Sequence, residues 1–162
     1  DTQVHPFEAR LFPPLGYNAR VKIHIVTVGS PKLAYAKQGW DEYFGRLKHF
    51  HTIRATHIPD KHNDAAHFEQ AVGSAYLVAL EIEGRQLSSP QLAQFLDKRA
   101  QEGREVCFVI GGPEGLPSEV RRRADISLSF SNLTFPHDLA MVVLLEALYR
   151  ASTINAGTKY HK

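Results

Sequence analysis

The sequence predicts an α/β fold in which a mostly parallel sheet carries helices on both faces. Two observations lead to this fold class. Short apolar segments of strand length alternate along the chain with longer segments whose apolar residues recur at helical spacing. The strand-like segments are apolar along most of their length, which is typical of parallel strands covered on both faces.

Two strands and two helices are predicted in the first half of the chain. Residues 21–28 are rich in valine and isoleucine and run into Gly-Ser-Pro at 29–31, which predicts a strand followed by a loop. Residues 35–50 place apolar side chains at helical spacing and predict a helix. The same two patterns predict a second strand over residues 52–58 and a short helix over residues 65–73.

The second half of the chain continues the alternation. Residues 76–82 predict a buried strand, and the sequence Glu-Gly-Arg at 83–85 predicts the turn that ends it. Residues 89–101 predict a helix, because a Ser-Pro pair starts the segment and Gly103 stops it. The remaining predicted elements are strands over residues 105–110 and 126–130 and a helix over residues 139–153.

Length and composition limit the classes of protein to which the chain can belong. Its 162 residues correspond to one domain of ordinary size. The hydrophobic content of 43% and charged content of 22% exclude wholesale disorder and fibrous structure. The single cysteine, Cys107, excludes an intrachain disulfide and is predicted to be an inert thiol inside a strand. The net charge of +2 is too small for tight RNA binding through charge alone.

Residues 1–20 differ from the rest and divide the chain into two parts. They hold three of the nine prolines and show neither the strand period nor the helix period. We therefore predict an irregular N-terminal extension over residues 1–20, which expression design or a misassigned gene start would explain. A single domain is predicted over residues 21–162.

A glycine-rich loop, GGPEG at residues 111–115, follows the most strand-like segment of the chain. Ligands of parallel α/β proteins bind in loops beyond the carboxyl ends of the strands, and glycines let the backbone approach a ligand closely. The loop matches neither the Walker A pattern nor Gly-x-Gly-x-x-Gly, so the main support for an ATPase or a dinucleotide-binding protein is missing. Both a ligand-binding loop and an ordinary strand-to-helix turn fit these residues.

The segment over residues 126–136 has no ionisable side chain, but its serines, asparagine and threonine offer neutral hydrogen-bonding groups. Such a segment suits a ligand held by backbone amides and carbonyls, for example an adenine edge. The helix that follows is apolar on all sides over residues 139–145, which predicts burial on more than one side and favours a subunit interface.

The C-terminal tail places Tyr160 and His161 between Lys159 and Lys162. An aromatic ring and a histidine between two cations suit contact with a phosphate and stacking on a base. Chain ends are also commonly frayed and without function, so the tail by itself leaves both interpretations open.

Four motifs in a fixed order resemble one known family. They are GGPEG at 111–115, LTFPH at 133–137, EALYRA at 146–151 and YHK at 160–162. On these motifs, and over residues 21–162, the chain is identified as a member of the RlmH family of SPOUT-class methyltransferases. One departure is Met141, at a position where many members of the family carry arginine.

The resemblance implies a C-terminal trefoil knot that binds S-adenosylmethionine. It implies a cytoplasmic homodimer, without membrane or metal, whose active site is completed by the partner subunit. The implied reaction is methylation of N3 of a pseudouridine in helix 69 of 23S rRNA, on assembled ribosomes. The cofactor-binding residues implied at matching positions are Leu80, Gly111, Phe130, Ser131, Asn132, Leu133, Thr134 and Phe135, and we expect Gly112 and Gly115 of the glycine-rich loop to join them.

The resemblance also implies that Tyr160 and His161 lie near the shared active site, and we predict catalytic roles for them and for His137. We hypothesise that His137 removes the N3 proton or orients the uracil edge, while the tail shapes the pocket. A histidine that merely caps a helix is the alternative. The expected rRNA contacts are Arg150, Lys159 and Lys162.

Two other functions remain open at this stage. The chain could be a ribosome-binding module that keeps the fold without transferring methyl groups, or a SPOUT methyltransferase of another RNA such as tRNA. Binding of the cofactor separates the first alternative from an enzyme, because a pure binding module would show none.

Five histidines fall within a short stretch of the chain and raise the question of a metal site. They have neither a cysteine partner nor the His-Glu-x-x-His spacing of a zinc helix. We therefore predict a solvated surface in this region and no metal site. The five are His49, His51, His57, His62 and His67.

Overall fold

The computed structural model describes residues 20–162, so the predicted extension lies almost entirely outside the described residues. The strands are β1 (Lys22–Val28), β2 (Thr52–Ile58), β3 (Tyr76–Gln86), β4 (Val106–Ile110) and β5 (Ile126–Ser129). The helices are α1 (Ala34–Leu47), α2 (Ala65–Val72), α3 (Ser89–Glu102), α4 (Ser118–Arg123) and α5 (His137–Ala156), with a short 3-10 turn at Asp60–His62.

The five strands form one parallel sheet in the order β2-β1-β4-β3-β5. Neighbouring strands β1 and β4 send their connections to opposite sides of the sheet, since β1 leads to β2 and β4 leads to β5. Such a reversal opens a crevice at the carboxyl ends of the strands, where α/β proteins bind their ligands. The predicted α/β class and parallel sheet are confirmed.

Helices cover both faces of the sheet, as predicted. On one face α1, α3 and α5 bury a cluster that includes Phe108, Leu96 and Leu144. On the other face α2 and α4 bury a second cluster around Phe68. Cys107 belongs to this second cluster, and burial raises the pKa of its thiol to about 12, which confirms the prediction of an inert thiol.

The α5 helix begins at His137, two residues earlier than predicted, and is long and apolar enough to cross a membrane by length and composition. Its buried side chains instead pack against α1 and α3. Met141, where the resemblance anticipates arginine, is fully buried among them.

At the start of α5 the Asp138 carboxylate accepts hydrogen bonds from the backbone N–H groups of Lys32 and Leu33, at 2.8 and 2.6 Å. Asp138 thereby ties α5 to the start of α1.

The turn predicted at residues 83–85 is wrong, because β3 continues through it to Gln86. The strand makes an excursion instead: Leu80 and Arg85 both pair with Leu128 of β5, which leaves the four residues between them out of register. A Cβ on Gly84 would lie 2.7 Å from the Leu128 carbonyl carbon, so only glycine fits where the strand returns to β5. The trefoil knot remains a prediction.

The expectation of a solvated histidine surface is wrong for His51, which is buried. Its Nδ1 accepts the backbone N–H of Val21 at 3.1 Å. Ser152 donates its hydroxyl proton to the Leu148 carbonyl, so His51 Nε2 must carry the proton shared with Ser152 Oγ at 2.7 Å. Two directed partners make burial of this neutral ring acceptable, and one of them, on α5, is remote in sequence.

The pKa of His51 makes folding stability depend on pH. Burial lowers this pKa from 6.5 to about 4, so between these values the unfolded chain binds the proton and the folded chain does not. Stability is therefore expected to fall as the pH drops through this window, by about 3 kcal/mol for this group alone. Urea unfolding between pH 4.5 and 7 should show a shallower pH dependence for His51→Gln than for the wild type or the exposed control His49→Gln. An unchanged slope in His51→Gln would contradict the assignment.

Candidate active site

A cleft of about 440 Å³ opens beyond the carboxyl end of β4, beside the excursion of β3 and next to the start of α5, and a smaller cavity of about 110 Å³ adjoins it. The two share Leu80, Ile110 and Phe135 among their lining residues. The cleft is further lined by the excursion of β3, by the glycine-rich loop and by residues that lead into α5. These additional residues are Glu81, Ile82, Glu83, Gly111, Gly112, Pro113, Gly115, Leu116, Arg121, Thr134, His137 and Ala140.

The glycine-rich loop is folded tightly against itself. A Cβ on Gly111 would lie 2.5 Å from the Gly115 carbonyl carbon, a distance that no real side chain tolerates. The backbone N–H of Gly115 donates to the Gly112 carbonyl at 2.9 Å and closes the turn. The loop therefore offers bare backbone to the cleft, as expected of a ligand-binding loop.

The neutral segment after β5 forms the wall of the smaller cavity, and its polar side chains hold the wall in shape. Ser129 donates to the Ser131 carbonyl at 2.9 Å, and Ser131 Oγ accepts the Leu133 N–H at 3.0 Å. The Asn132 side chain accepts a hydrogen bond from Gln86 at 3.1 Å and lines neither cavity. The serine and asparagine side chains thus hold in place the backbone of the segment that lines the smaller cavity.

The structure brings nine of the ten predicted cofactor residues to these two adjoining cavities. The exception is Asn132. Leu80 and the two loops meet because β3 lies between β4 and β5 in the sheet and Leu80 is level with the ends of both: Ala79 pairs with Val109, and Leu80 pairs with Leu128. Because four residues of GGPEG line the cleft, a ligand-binding loop is favoured over an ordinary strand-to-helix turn.

His137 lies in the wall of the cleft, as the first residue of α5. Its Nε2 is 2.6 Å from the Val28 carbonyl oxygen at the end of β1. A carbonyl can only accept, so Nε2 carries the proton and Nδ1 holds the free lone pair of the neutral ring. This arrangement leaves Nδ1 able to accept a proton from a ligand.

His57, which was predicted to lie on a solvated surface, is half-buried and lies near His137. Thr27 donates its hydroxyl proton to the Gly29 carbonyl at 2.6 Å, so the 2.6 Å contact with His57 Nδ1 must be a hydrogen bond donated by His57. Burial lowers the pKa of His57, and so does the positive charge of a protonated His137. His137 thus binds the Val28 carbonyl directly, and His57 supports the Thr27 hydroxyl that binds the Gly29 carbonyl, where β1 ends.

Charged residues at the mouth of the cleft were also missed. Glu81 and Glu83 enter the lining because β3 makes an excursion where a turn was predicted. Arg121 of α4 lies 3.6 Å from Glu81, and Ser127 donates to the same carboxylate at 3.4 Å. The only sequence signal for Arg121 was a short basic run, which is usually a solvated helix face.

The C-terminal tail packs on the far part of α5. Tyr160 donates to Glu146 at 3.1 Å and lies 3.3 Å from the Tyr43 hydroxyl. Burial and these two partners raise the pKa of Tyr160 well above its usual range, so the phenol stays protonated. Arg150 pairs with Glu146 and lies 3.4 Å from His161 Nδ1. The predicted catalytic tail residues and Arg150 therefore form one cluster.

The structure does not bring this tail cluster to His137 of the same chain. Glu146, which holds Tyr160, lies nine residues along α5 from His137, or about 13 Å at the rise of an α-helix. Neither Tyr160 nor His161 lines either cavity. Lys159 and Lys162, the other predicted RNA contacts, are exposed beside the cluster.

Comparison with known proteins places the chain and its fold in a family. The family model described as "Predicted SPOUT methyltransferase" matches residues 21–161. Among solved structures, a probable methylase family protein from Haemophilus influenzae Rd KW20 has a TM-score of 0.58 at 15% identity, covering 88% of this chain and 71% of that one. A probable methyltransferase from Bordetella pertussis Tohama I has a TM-score of 0.53 at 12% identity, covering 82% of this chain and 94% of that one. The chain belongs to the SPOUT methyltransferase family.

Curated relatives narrow the membership within that family. The ribosomal RNA large subunit methyltransferase H of Deinococcus deserti is 47% identical over 145 residues, which cover 88% of this chain and 100% of the relative. The protein of the same name from Deinococcus radiodurans is 45% identical, over 88% of this chain and 99% of the relative. These relatives confirm the family resemblance that the four motifs indicated. This chain belongs with the ribosomal RNA large subunit methyltransferase H proteins.

Proposed function

We propose that this protein transfers a methyl group from S-adenosylmethionine to large-subunit ribosomal RNA. The observation that carries the proposal is the cleft built from the glycine-rich loop and the segment leading to His137. It occurs in a chain that is 47% identical to the full length of a relative named as a methyltransferase of this RNA. A ribosomal substrate would place the protein in the cytoplasm.

The cleft fits the donor in size and in chemistry. Its volume of about 440 Å³ lies within the range of roughly 300–1,000 Å³ usual for small-molecule sites. Leu80, Ile110 and Phe135 offer apolar surface for an adenine ring, and the glycine-rich loop offers backbone hydrogen-bonding groups. S-adenosylmethionine would supply an electrophilic methyl group: as the new N–CH3 bond forms, the S–CH3 bond breaks and its electron pair stays on sulfur, which leaves as a neutral thioether. No nucleophilic side chain is therefore needed, and the protein has to position the acceptor.

His137 is proposed as the group that takes the proton from the acceptor nitrogen. Its Nδ1 has the free lone pair, while Nε2–H donates to the Val28 carbonyl. The same carbonyl stabilises the imidazolium once Nδ1 is protonated. The hydrogen bond also fixes the orientation of the imidazole ring, and with it the position of Nδ1. Proton removal of this kind contributes about 10²–10⁴-fold to a rate.

The site is proposed to be completed in a homodimer by the tail of the partner subunit. Within one chain Tyr160 is held at Glu146, about 13 Å along α5 from His137. If two subunits pair along α5, the C-terminal tail of one subunit can reach the cleft of the other. Leu33 and Tyr35, half-exposed beside the start of α5, supply apolar surface for that pairing.

The proposed acceptor is N3 of a pseudouridine in helix 69 of 23S rRNA, within the assembled ribosome. A monomer charge of +2 gives little affinity for naked RNA, so recognition of ribosome shape has to supply specificity. Arg150, Lys159 and Lys162 are the proposed rRNA contacts, with Arg150 oriented by Glu146.

Transfer of labelled methyl groups to ribosomes tests the proposal. Ribosomes that lack the modification should accept label on 23S rRNA, whereas ribosomes whose helix 69 uridines were never isomerised, and a short helix 69 hairpin, should accept little. Equal rates on hairpin and ribosome would contradict recognition of the assembled particle. No transfer to any ribosome by folded, dimeric protein would contradict the enzymatic function and favour a ribosome-binding module.

A further inference from the structure

We propose that His62, Asp64 and His67 form a binding site for a divalent transition-metal cation of the Zn²⁺ type. The three residues lie between the 3-10 turn and the first turn of α2. One ligand atom from each lies within 4.8 Å of the others, a convergence that the spacing His-x-Asp-x-x-His did not reveal in the sequence.

The geometry of the three side chains is close to that of a coordination site. The imidazole rings of His62 and His67 stack with centroids 4.1 Å apart and planes 13° apart. His67 Nδ1 lies 2.8 Å from both carboxylate oxygens of Asp64. In a tetrahedral site with bonds of about 2.0–2.1 Å, ligand atoms lie roughly 3.3–3.5 Å apart. Binding would therefore require side-chain rotations that bring the three ligand atoms to this spacing, and none of the three residues is buried.

The types of ligand select the class of cation. Two imidazoles and one carboxylate favour Zn²⁺, Ni²⁺ or Cu²⁺ over Mg²⁺ and Ca²⁺, which prefer oxygen ligands. Three protein ligands would leave one tetrahedral position for water. Binding would replace the proton on the His67 nitrogen that becomes a ligand.

An ion at this position would fasten the segment after β2, which borders the cleft. Asn63, between two of the ligands, has its side-chain nitrogen 3.5 Å from where a Cβ on Gly112 would lie. Asp60 of the 3-10 turn pairs with Lys32 at 3.6 Å in the loop after β1. The site is therefore placed to stabilise the rim of the cleft, and its existence does not depend on the proposed reaction.

Calorimetric titration of the tag-free full chain with Zn²⁺ tests the site. We expect saturable binding of a single ion and a Zn²⁺-dependent rise in Tm, since a ligand that binds only the folded state stabilises it. His62→Ala and His67→Ala should each weaken binding at least about tenfold, since even the loss of a residue that only supports a metal ligand commonly costs that much. His49→Ala, which removes an exposed histidine outside the site, should bind like the wild type.

Asp64→Asn separates coordination from a structural role of the carboxylate. Asp64 also caps α2 by accepting the His67 backbone N–H at 2.9 Å, and asparagine is an equally good cap. This variant should therefore keep its Tm without metal and lose Zn²⁺ affinity. The proposal is overturned if the wild type shows no saturable binding, or if weak binding at several sites is unaffected by both histidine variants.

Discussion

Replacing Gly111 by alanine is expected to weaken S-adenosylmethionine binding by about 100-fold. The new Cβ would lie 2.5 Å from the Gly115 carbonyl carbon, and backbone atoms cannot move aside as a flexible side chain can. Relieving such an overlap costs roughly 1–3 kcal/mol and displaces the loop that lines the cleft. The measurement is calorimetric titration with the donor, together with urea unfolding to follow stability.

Gly45→Ala provides the matched control for this substitution. A Cβ on Gly45, in the last turn of α1, meets no heavy atom within 4 Å. Alanine is favoured over glycine inside a helix by about 1 kcal/mol, so this variant should gain stability and bind the donor normally. Full donor affinity in Gly111→Ala would show that the glycine-rich loop is not the donor site.

Replacing His137 by alanine is expected to lower kcat by about 10²–10⁴-fold and to change donor affinity little. The substitution removes Nδ1, the proposed proton acceptor, and leaves the glycine-rich loop and Leu80 in place. Single-turnover methyl transfer to ribosomes, with donor affinity measured separately, distinguishes the two effects. An equal loss of kcat and of donor affinity, or no loss of either, would contradict the assignment of His137 as a base.

Mixed dimers extend the same experiment to the shared site. When His137→Ala and His161→Ala subunits are combined, one cleft of each heterodimer regains an intact His137 and an intact partner tail. Activity should therefore reappear on mixing if the tail acts on the partner's cleft. Two inactive variants that remain inactive in a verified heterodimer would place the tail and His137 in the same chain.

The fold class was predictable from the sequence because burial on both faces leaves a direct mark on parallel strands. Runs such as residues 105–110 contain almost no polar residue, and β4 indeed lies in the centre of the sheet. The strand order was not predictable, since pairing of β1 with β4 joins residues far apart in sequence. The excursion of β3 was missed because Glu-Gly-Arg is an ordinary turn sequence until Gly84 is seen against the backbone of Leu128.

The candidate site was partly predictable, because its glycine-rich loop and the LTFPH segment are continuous in sequence. Contacts between distant segments were not, and they account for the residues that were missed. Glu81 enters the cleft through the excursion of β3, and His57 reaches the end of β1 through the Thr27 hydroxyl. The same limit explains His51, whose partner Ser152 lies about a hundred residues away on α5.

A crystal structure of the protein grown with S-adenosylmethionine would test the central claim most directly. The predicted result is donor density in the cleft, with its adenine near Leu80 and Phe135 and its methyl group facing His137. The same crystals would show whether His161 of the partner subunit approaches that methyl group. Density for the donor elsewhere, or an empty cleft at saturating donor, would contradict the assignment of this cleft as the methyl-donor site.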